Sequence, residues 1–169
     1  LDPGVDGADQ KGVKWDDSFD SWTGPFVMAA VNSKVVRRSN ALASLIYGAD
    51  FAYDEAMLTT NRRSALLLAG GMGAGMLAFA IGPLRKMIAK KLPQPGEGPS
   101  PSERENGFFE FFVHAKHPDS TKQDVRVAVK GKRDPGYGAT SRMIAQAGLC
   151  LAFDDLDVEG GIWTPATAL

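Results

Sequence analysis

From Ser64 to Pro83 the chain carries no charged residue, and Arg62-Arg63 and Arg85-Lys86 bound the run on either side. A run of roughly 20 apolar residues is the length at which a helix can cross a bilayer. Any fold of this chain must therefore house, or expose, one very apolar helix. Gly70, Gly71, Gly73, Gly75 and Gly82 lie within it, each lowering helix propensity in water by about 1 kcal/mol relative to Ala. Their placement is ordered. Gly71, Ala74, Gly75, Ala78 and Gly82 form a stripe of small residues at helical spacing, while Leu66, Leu77, Ile81 and Leu84 gather on roughly the opposite side. Such a smooth seam, with Gly71-x-x-x-Gly75 as its minimal motif, invites close contact with another helix. The expectation is that the seam takes a protein contact. Leu66, Leu77, Ile81 and Leu84 then face lipid or a second subunit, with Arg85 and Lys86 at headgroup level.

The rest of the composition is that of a soluble domain. The 169 residues suffice for one domain with a sizeable core. A hydrophobic content of 44% with 23% charged residues argues against wholesale disorder. A net charge of −1 excludes a dedicated nucleic-acid binder. Charge is unevenly placed, with an acidic opening as far as Asp20 and a basic cluster of Arg85, Lys86, Lys90 and Lys91. Cys150 is the only cysteine, so an internal disulfide is impossible and a reducing, intracellular compartment is expected. The chain opens on Leu1 and closes on Leu169, and both ends read as cuts through a longer protein.

Along the chain, Thr23-Gly-Pro25 reads as a helix start, with Thr23 as N-cap and Pro25 in the first turn. Phe26, Ala29, Ala30 and Ser33 give that helix a narrow packing face. It is expected to run to Tyr47 and stop at Gly48. Phe51, Tyr53 and Met57 read as buried anchors. Residues 64–92 form an apolar and then basic helix, and 93–106 a linker rich in proline and glycine. Residues 107–115 are too aromatic to be other than a strand. Val125, Val127 and Val129 alternate with Arg126, Ala128 and Lys130, the period of a half-buried strand over 124–131. The two strands should pair antiparallel, with the valines on a face covered by at least two helices. Thr140, Met143, Ile144, Ala147 and Leu151 hold helical spacing in a last helix. The fold class is α+β, a small antiparallel sheet covered by helices, in a single incomplete domain over 1–169.

No residue pattern names a reaction. Gly71-Met-Gly-Ala-Gly75 has the spacing G-x-G-x-G, places Met76 where a dinucleotide fingerprint needs its third glycine, and sits inside an apolar helix. It reads as packing or membrane contact, and no cofactor is expected on this chain alone. His114 and His117 would face opposite sides of a strand end with no third ligand, so they read as solvated and not as a metal site. Cys150, amid Leu149, Leu151 and Ala152, reads as a buried, inert thiol. Asn32, Lys34, Arg37 and Arg38 form a basic patch. It could hold a cofactor phosphate or a carrier phosphopantetheine; a solvated helix face is the commoner use of such a run. Tyr137 stands in a glycine-flanked turn, where its phenol could serve a substrate carbonyl as donor or proton source. It could equally fix the turn by packing.

Five strings occur in order: Gly24-Pro-Phe-Val-Met-Ala-Ala-Val-Asn32, Val36-Arg-Arg-Ser-Asn-Ala-Leu42, Pro93-Gln-Pro-Gly-Glu-Gly-Pro-Ser100, Asp134-Pro-Gly-Tyr-Gly-Ala-Thr140 and Gly160-Gly-Ile-Trp-Thr-Pro165. Together, over roughly residues 19–169, they resemble the C-terminal half of the saccharopine dehydrogenase-like oxidoreductases. That family includes trans-acting enoyl reductases of polyketide-derived lipid synthesis. The resemblance implies a two-domain protein in which an N-terminal Rossmann domain, absent here, binds NAD(P). This chain would supply the α+β substrate and dimerisation domain. It further implies a lipid-like acyl substrate in glycolipid metabolism, a homodimer, and a place on a membrane or lipid droplet. The alternative is a non-catalytic membrane or lipid-droplet interaction module. A true amino-acid saccharopine reductase fits less well, since a small charged substrate needs no apolar helix. No catalytic residue carries over to a position here.

Overall fold

The computed structural model describes residues 9–119 and 121–169, which divide into two compact units. The first holds residues up to Leu92 together with Asp157–Ala168, and the second Pro93–Leu156 with Leu169.

The first unit is built on a three-stranded antiparallel sheet in the order β1 (Lys14–Asp16), β2 (Ser21–Pro25), β3 (Ala56–Thr59). The helix start expected at Thr23-Gly-Pro25 is therefore a strand. Residues 22 and 23 pair with β1 on one side and with β3 on the other, and two ladders of backbone hydrogen bonds outweigh one capping pattern. Trp15 and Trp22, directly opposite, meet edge to face at 5.5 Å, and Arg62 lies over the Trp22 ring at 5.6 Å.

Helix α1 (Ala29–Leu42) follows. It buries Ala29, Ser33, Ser39 and Asn40, while Ala30 is exposed. It ends five residues before the expected Tyr47 because Ser44 and Leu45 adopt left-handed backbone angles. Asn40 closes the turn that results, accepting from the Tyr47 N–H at 3.0 Å and donating to the Gly48 carbonyl at 3.1 Å. Phe51 and Tyr53 are half-buried in an aromatic row with Tyr47, whereas Met57 is exposed and not an anchor.

Helix α2 (Arg62–Ala80) starts from Asn61, whose side chain accepts from the Ser64 N–H at 2.9 Å. Its first turns lie on β2, where Ala65 is fully buried and Leu68 reaches Gly24. A Cβ on Gly24 would sit 2.9 Å from a Leu68 methyl, so the glycine sets this close approach. The helix breaks at Ile81, and α3 (Gly82–Ala89) starts with Pro83 in its first turn. The small-residue seam is split, and its glycines make no contact within the described residues of this chain. Among the described residues nothing lies within 4 Å of a side chain built at Gly71, Gly75 or Gly82, and Gly82 belongs to a separate helix. Spacing can define a smooth face, but it cannot supply the surface that covers it. Short helix α6 (Pro165–Ala168) returns to this unit and meets α1.

The second unit pairs β4 (Phe108–Ala115) antiparallel with β5 (Val125–Lys132), as expected. Alternation along this register puts Phe109, Phe111, Val113 and Ala115 on one face with Gly131, Val129, Val127 and Val125. That face is wholly apolar. The expected helical cover is missing, however. Val125, Val127 and Val129 are about half exposed, and neither α4 (Pro101–Asn106) nor α5 (Thr140–Phe153) packs extensively on the hairpin. Helix α4 also shortens the linker expected over 93–106. It is set by a capping box, in which Ser100 accepts from the Glu103 N–H and Glu103 accepts from the Ser100 N–H at 2.8 Å.

Candidate functional site: the Tyr137 cleft

The site residues of the second unit are organised by Asp134. Its N–H donates to the Arg104 carbonyl at 3.1 Å, and its own carbonyl accepts from the Ala139 N–H at 2.7 Å. One residue thus joins the end of α4 to the start of α5. Its carboxylate accepts three further backbone N–H groups, from Tyr137 at 2.7 Å and from Gly136 and Gly138 at 3.1 Å. These bonds, with Tyr137 the strongest contributor and Arg104 adding a weaker attraction, hold the carboxyl below its ordinary pKa. Gly138 is required by the same junction, because a Cβ there would collide with the Arg104 carbonyl oxygen. Thr140 completes the turn by donating to the Pro135 carbonyl at 2.5 Å.

This geometry turns Tyr137 outward, with 59% of the residue exposed. Two adjoining clefts meet at its ring. One, of about 280 Å³, is lined by Arg104, Glu105, Arg133, Tyr137, Ser141 and Arg142 among others. The second, of about 380 Å³, lies between Arg104, Tyr137 and the turn Gly96–Pro99. Arg133 reaches its place through an uncommon backbone, with φ at +88° in a non-glycine residue. Its N–H is fixed to the Gly107 carbonyl at 2.6 Å. Left-handed, bulky residues of this kind persist where the surroundings over-determine them, often beside a binding site.

The other sequence candidates lie outside this cleft. In the first unit Asn32 donates to the Glu55 carboxylate at 2.8 Å, and Arg37 donates to the Tyr53 carbonyl at 3.1 Å. The two side chains thus hold the segment before β3. Burial, then the Glu55 carboxylate that accepts its hydroxyl at 2.8 Å, pushes the Tyr53 phenol well up. Lys34 and Arg38 are exposed on the same helix. Glu55 thus places an acid beside Asn32, at one end of the patch.

His114 is not solvated as expected. Its side chain is only 6% exposed and pairs with Asp124 at 3.0 Å. His117 Nδ1 accepts from the Asp119 N–H in the loop. No group of three or more potential metal ligands occurs among the described residues. The Cys150 thiol is held up in pKa mainly by a hydrogen bond to Asp154 and then by burial, which disfavours the reactive thiolate. Leu66, Leu77, Ile81 and Leu84 are all exposed, with Arg85 and Lys86 exposed beside them. Helix α2 is long and apolar enough to cross a membrane, and only 6% of its most apolar window is buried.

Of the sequence candidates, only Tyr137 falls in the cleft. Sequence reading missed Arg104, Arg133 and Arg142. The Ser100-x-x-Glu103 capping box was a legible sign that Arg104 lies on a helix. Nothing in the spacing shows that the three arginines converge.

The comparisons with known proteins bear on the whole chain. Over 88% of its length it is 35% identical to a protein of Mycobacterium tuberculosis named trans-acting enoyl reductase. The Mycobacterium ulcerans protein of that name is 32% identical over the same share. Over most of its own length the chain is thus similar to proteins named trans-acting enoyl reductases. A further M. tuberculosis protein, provisionally given the same name, is 36% identical over 88% of the chain. The chain spans 37% of the length of these relatives. No protein-family model matches it, and no solved structure does. The enoyl-reductase part of the resemblance read from the five strings is thereby supported, while none of these relatives is named for saccharopine.

Proposed function

We propose that this chain forms the acyl-binding side of an enoyl-reductase-like oxidoreductase, with Tyr137 facing the substrate. The observation that carries the reading is the homology over 88% of the chain to proteins named trans-acting enoyl reductases, combined with an exposed phenol at the meeting of two clefts. The glycine cluster does not make a dinucleotide site. Gly71, Gly73 and Gly75 stand inside α2 and not at a strand-to-helix turn, so no phosphate-cradling loop can be built from them. The chemistry derived for this chain is accordingly limited to the acyl side. Tyr137, held by Asp134 through its backbone N–H, is free to direct its hydroxyl at an acyl carbonyl oxygen and so orient and polarise it. By resemblance, NAD(P) and its Rossmann domain would come from the part of the relatives that this chain does not span.

Exposure of α2 supports a second element of the reading, contact with a membrane or lipid-droplet surface that brings a lipid-like acyl substrate within reach. A homodimer could cover the same apolar side.

The test is a chimera. This chain replaces the matched segment of the M. tuberculosis trans-acting enoyl reductase, and reduction of an α,β-unsaturated acyl thioester is followed with NADH or NADPH. Retained turnover, with Tyr137→Phe lowering kcat at least about tenfold, supports the proposal. A correctly folded chimera in which Tyr137→Phe changes nothing removes Tyr137 from it.

A further inference from the structure

We infer that the arginine-walled cleft beside Tyr137 binds the phosphate group of a phosphomonoester, with the remainder of that ligand passing Tyr137 toward the Gly96–Pro99 turn. Arg104, Arg133 and Arg142 line a single cleft, and Glu105 is the one acid among its lining residues. Its walls therefore carry a net charge of +2. A phosphomonoester carries a charge of about −1.5 to −2 at neutral pH, which matches that excess; a phosphodiester or a single carboxylate leaves a charge uncompensated. Guanidinium groups are the side chains best suited to several phosphate oxygens at once, because each presents a planar fork of N–H donors.

None of the cleft arginines is in an ion pair among the described residues, and the one acid that attracts Arg104, Asp134, does so weakly. Among the described residues, the ion pairs identified are His114–Asp124 and Lys130–Glu110, and neither involves the cleft. Asp134 turns its carboxylate to three backbone N–H groups and lines neither cleft. Arg133 is held in place despite its left-handed backbone, an arrangement expected where the position of the side chain matters more than local comfort. Ser141 adds a hydroxyl to the same wall. The second cleft shares Arg104 and Tyr137 with the first, which is the direction in which a ligand anchored by its phosphate would extend. The Lys34, Arg37 and Arg38 patch offers no comparable place, since Asn32 beside it already engages Glu55.

The assignment shares Tyr137 with the reductase reading but rests on charge and shape, and it is tested without turnover, so either can fail alone. The experiment titrates the full 169-residue chain with methyl phosphate and, separately, with dimethyl phosphate, following backbone amide shifts of residues 136–142 by NMR. Saturable shifts with methyl phosphate at pH 8 are expected, weakening about tenfold or more at pH 5 as the monoester takes up its second proton near pH 6. Arg104→Gln and Arg142→Gln, both at exposed positions, should each weaken binding about tenfold or more, the effect of losing one charge-assisted bond. Arg126→Gln, on the hairpin, should bind as the parent does. Absence of saturable shifts with methyl phosphate overturns the assignment, as does undiminished binding by both cleft variants. Dimethyl phosphate binding as tightly as methyl phosphate overturns the choice of a monoester.

Discussion

The hydroxyls of Ser39 and Thr164 meet at 2.7 Å, both residues buried and 125 positions apart in the chain. Ser39 lies near the end of α1 and also donates to the Val35 carbonyl at 2.9 Å. Thr164 precedes α6 and shares its hydroxyl with Thr167 at 3.0 Å. The last residues of the chain thus return to α1 through a small hydroxyl network, not through a large apolar anchor.

That network should be measurable. Thr164→Val keeps the volume but removes the hydroxyl that Ser39 meets, leaving Ser39 its bond to Val35, and the loss of such a hydrogen bond costs about 0.5–1.5 kcal/mol. Ser39→Ala removes both its bond to Thr164 and its bond to the Val35 carbonyl and should cost at least as much. A double-mutant cycle by urea denaturation is expected to show the two changes coupled, with the double variant more stable than the sum of the singles implies. Strictly additive losses would mean that the two hydroxyls do not act together.

Asp134 sets a pH dependence in the second unit. Its carboxyl is held below its ordinary pKa of 3.8 by three backbone N–H groups, so the charged form favours the folded loop. The sign follows from linkage: this contribution is present above the unfolded-state pKa and is lost as pH falls through the lower folded-state value. Amide exchange at Tyr137 and Gly138 should therefore be protected at neutral pH and lose protection in strong acid. Asp134→Asn should lose much of that protection already at pH 7, with a flatter acid response. Equal protection in parent and variant would place the order of the loop elsewhere.

Helix α2 separates two environments. Leu66, Leu67, Leu77 and Ile81 are exposed, and each Leu or Ile side chain transferred from water gains about 1.5–3 kcal/mol. Flotation with vesicles containing anionic lipid should carry the chain, helped by Arg62, Arg63, Arg85 and Lys86 at about 1 kcal/mol each. Leu77→Glu combined with Ile81→Glu should release it while the β4–β5 hairpin stays folded by circular dichroism. A parent chain that stays in the aqueous fraction as a monomer would refute membrane contact.

What the sequence determined by itself was every feature that depends on neighbours along the chain. The uncharged run 64–83 had to be helical, although the single helix expected over 64–92 breaks at Ile81, just before Pro83, into α2 and α3. Alternating valines and aromatics defined β4 and β5, and short connections left antiparallel pairing as the economical arrangement. Asp134-Pro-Gly-Tyr-Gly138 announced a turn, and Tyr137 within it was legible as a candidate because its flanking glycines leave the ring uncovered. Tertiary structure alone decided what depends on partners distant in sequence. Thr23-Gly-Pro25 has the local chemistry of a helix start, yet it is a strand because β1 and β3 pair with it on both sides. The valine face was correctly drawn but is not covered among the described residues, and the glycine seam loses Gly82 to α3, since periodicity fixes which side chains share a face and says nothing of what lies opposite. Arg104, Arg133 and Arg142 converge only because one aspartate joins α4 to α5 through its backbone. No spacing of charges along the chain encodes that junction, because the bonds that make it link residues about 30 positions apart.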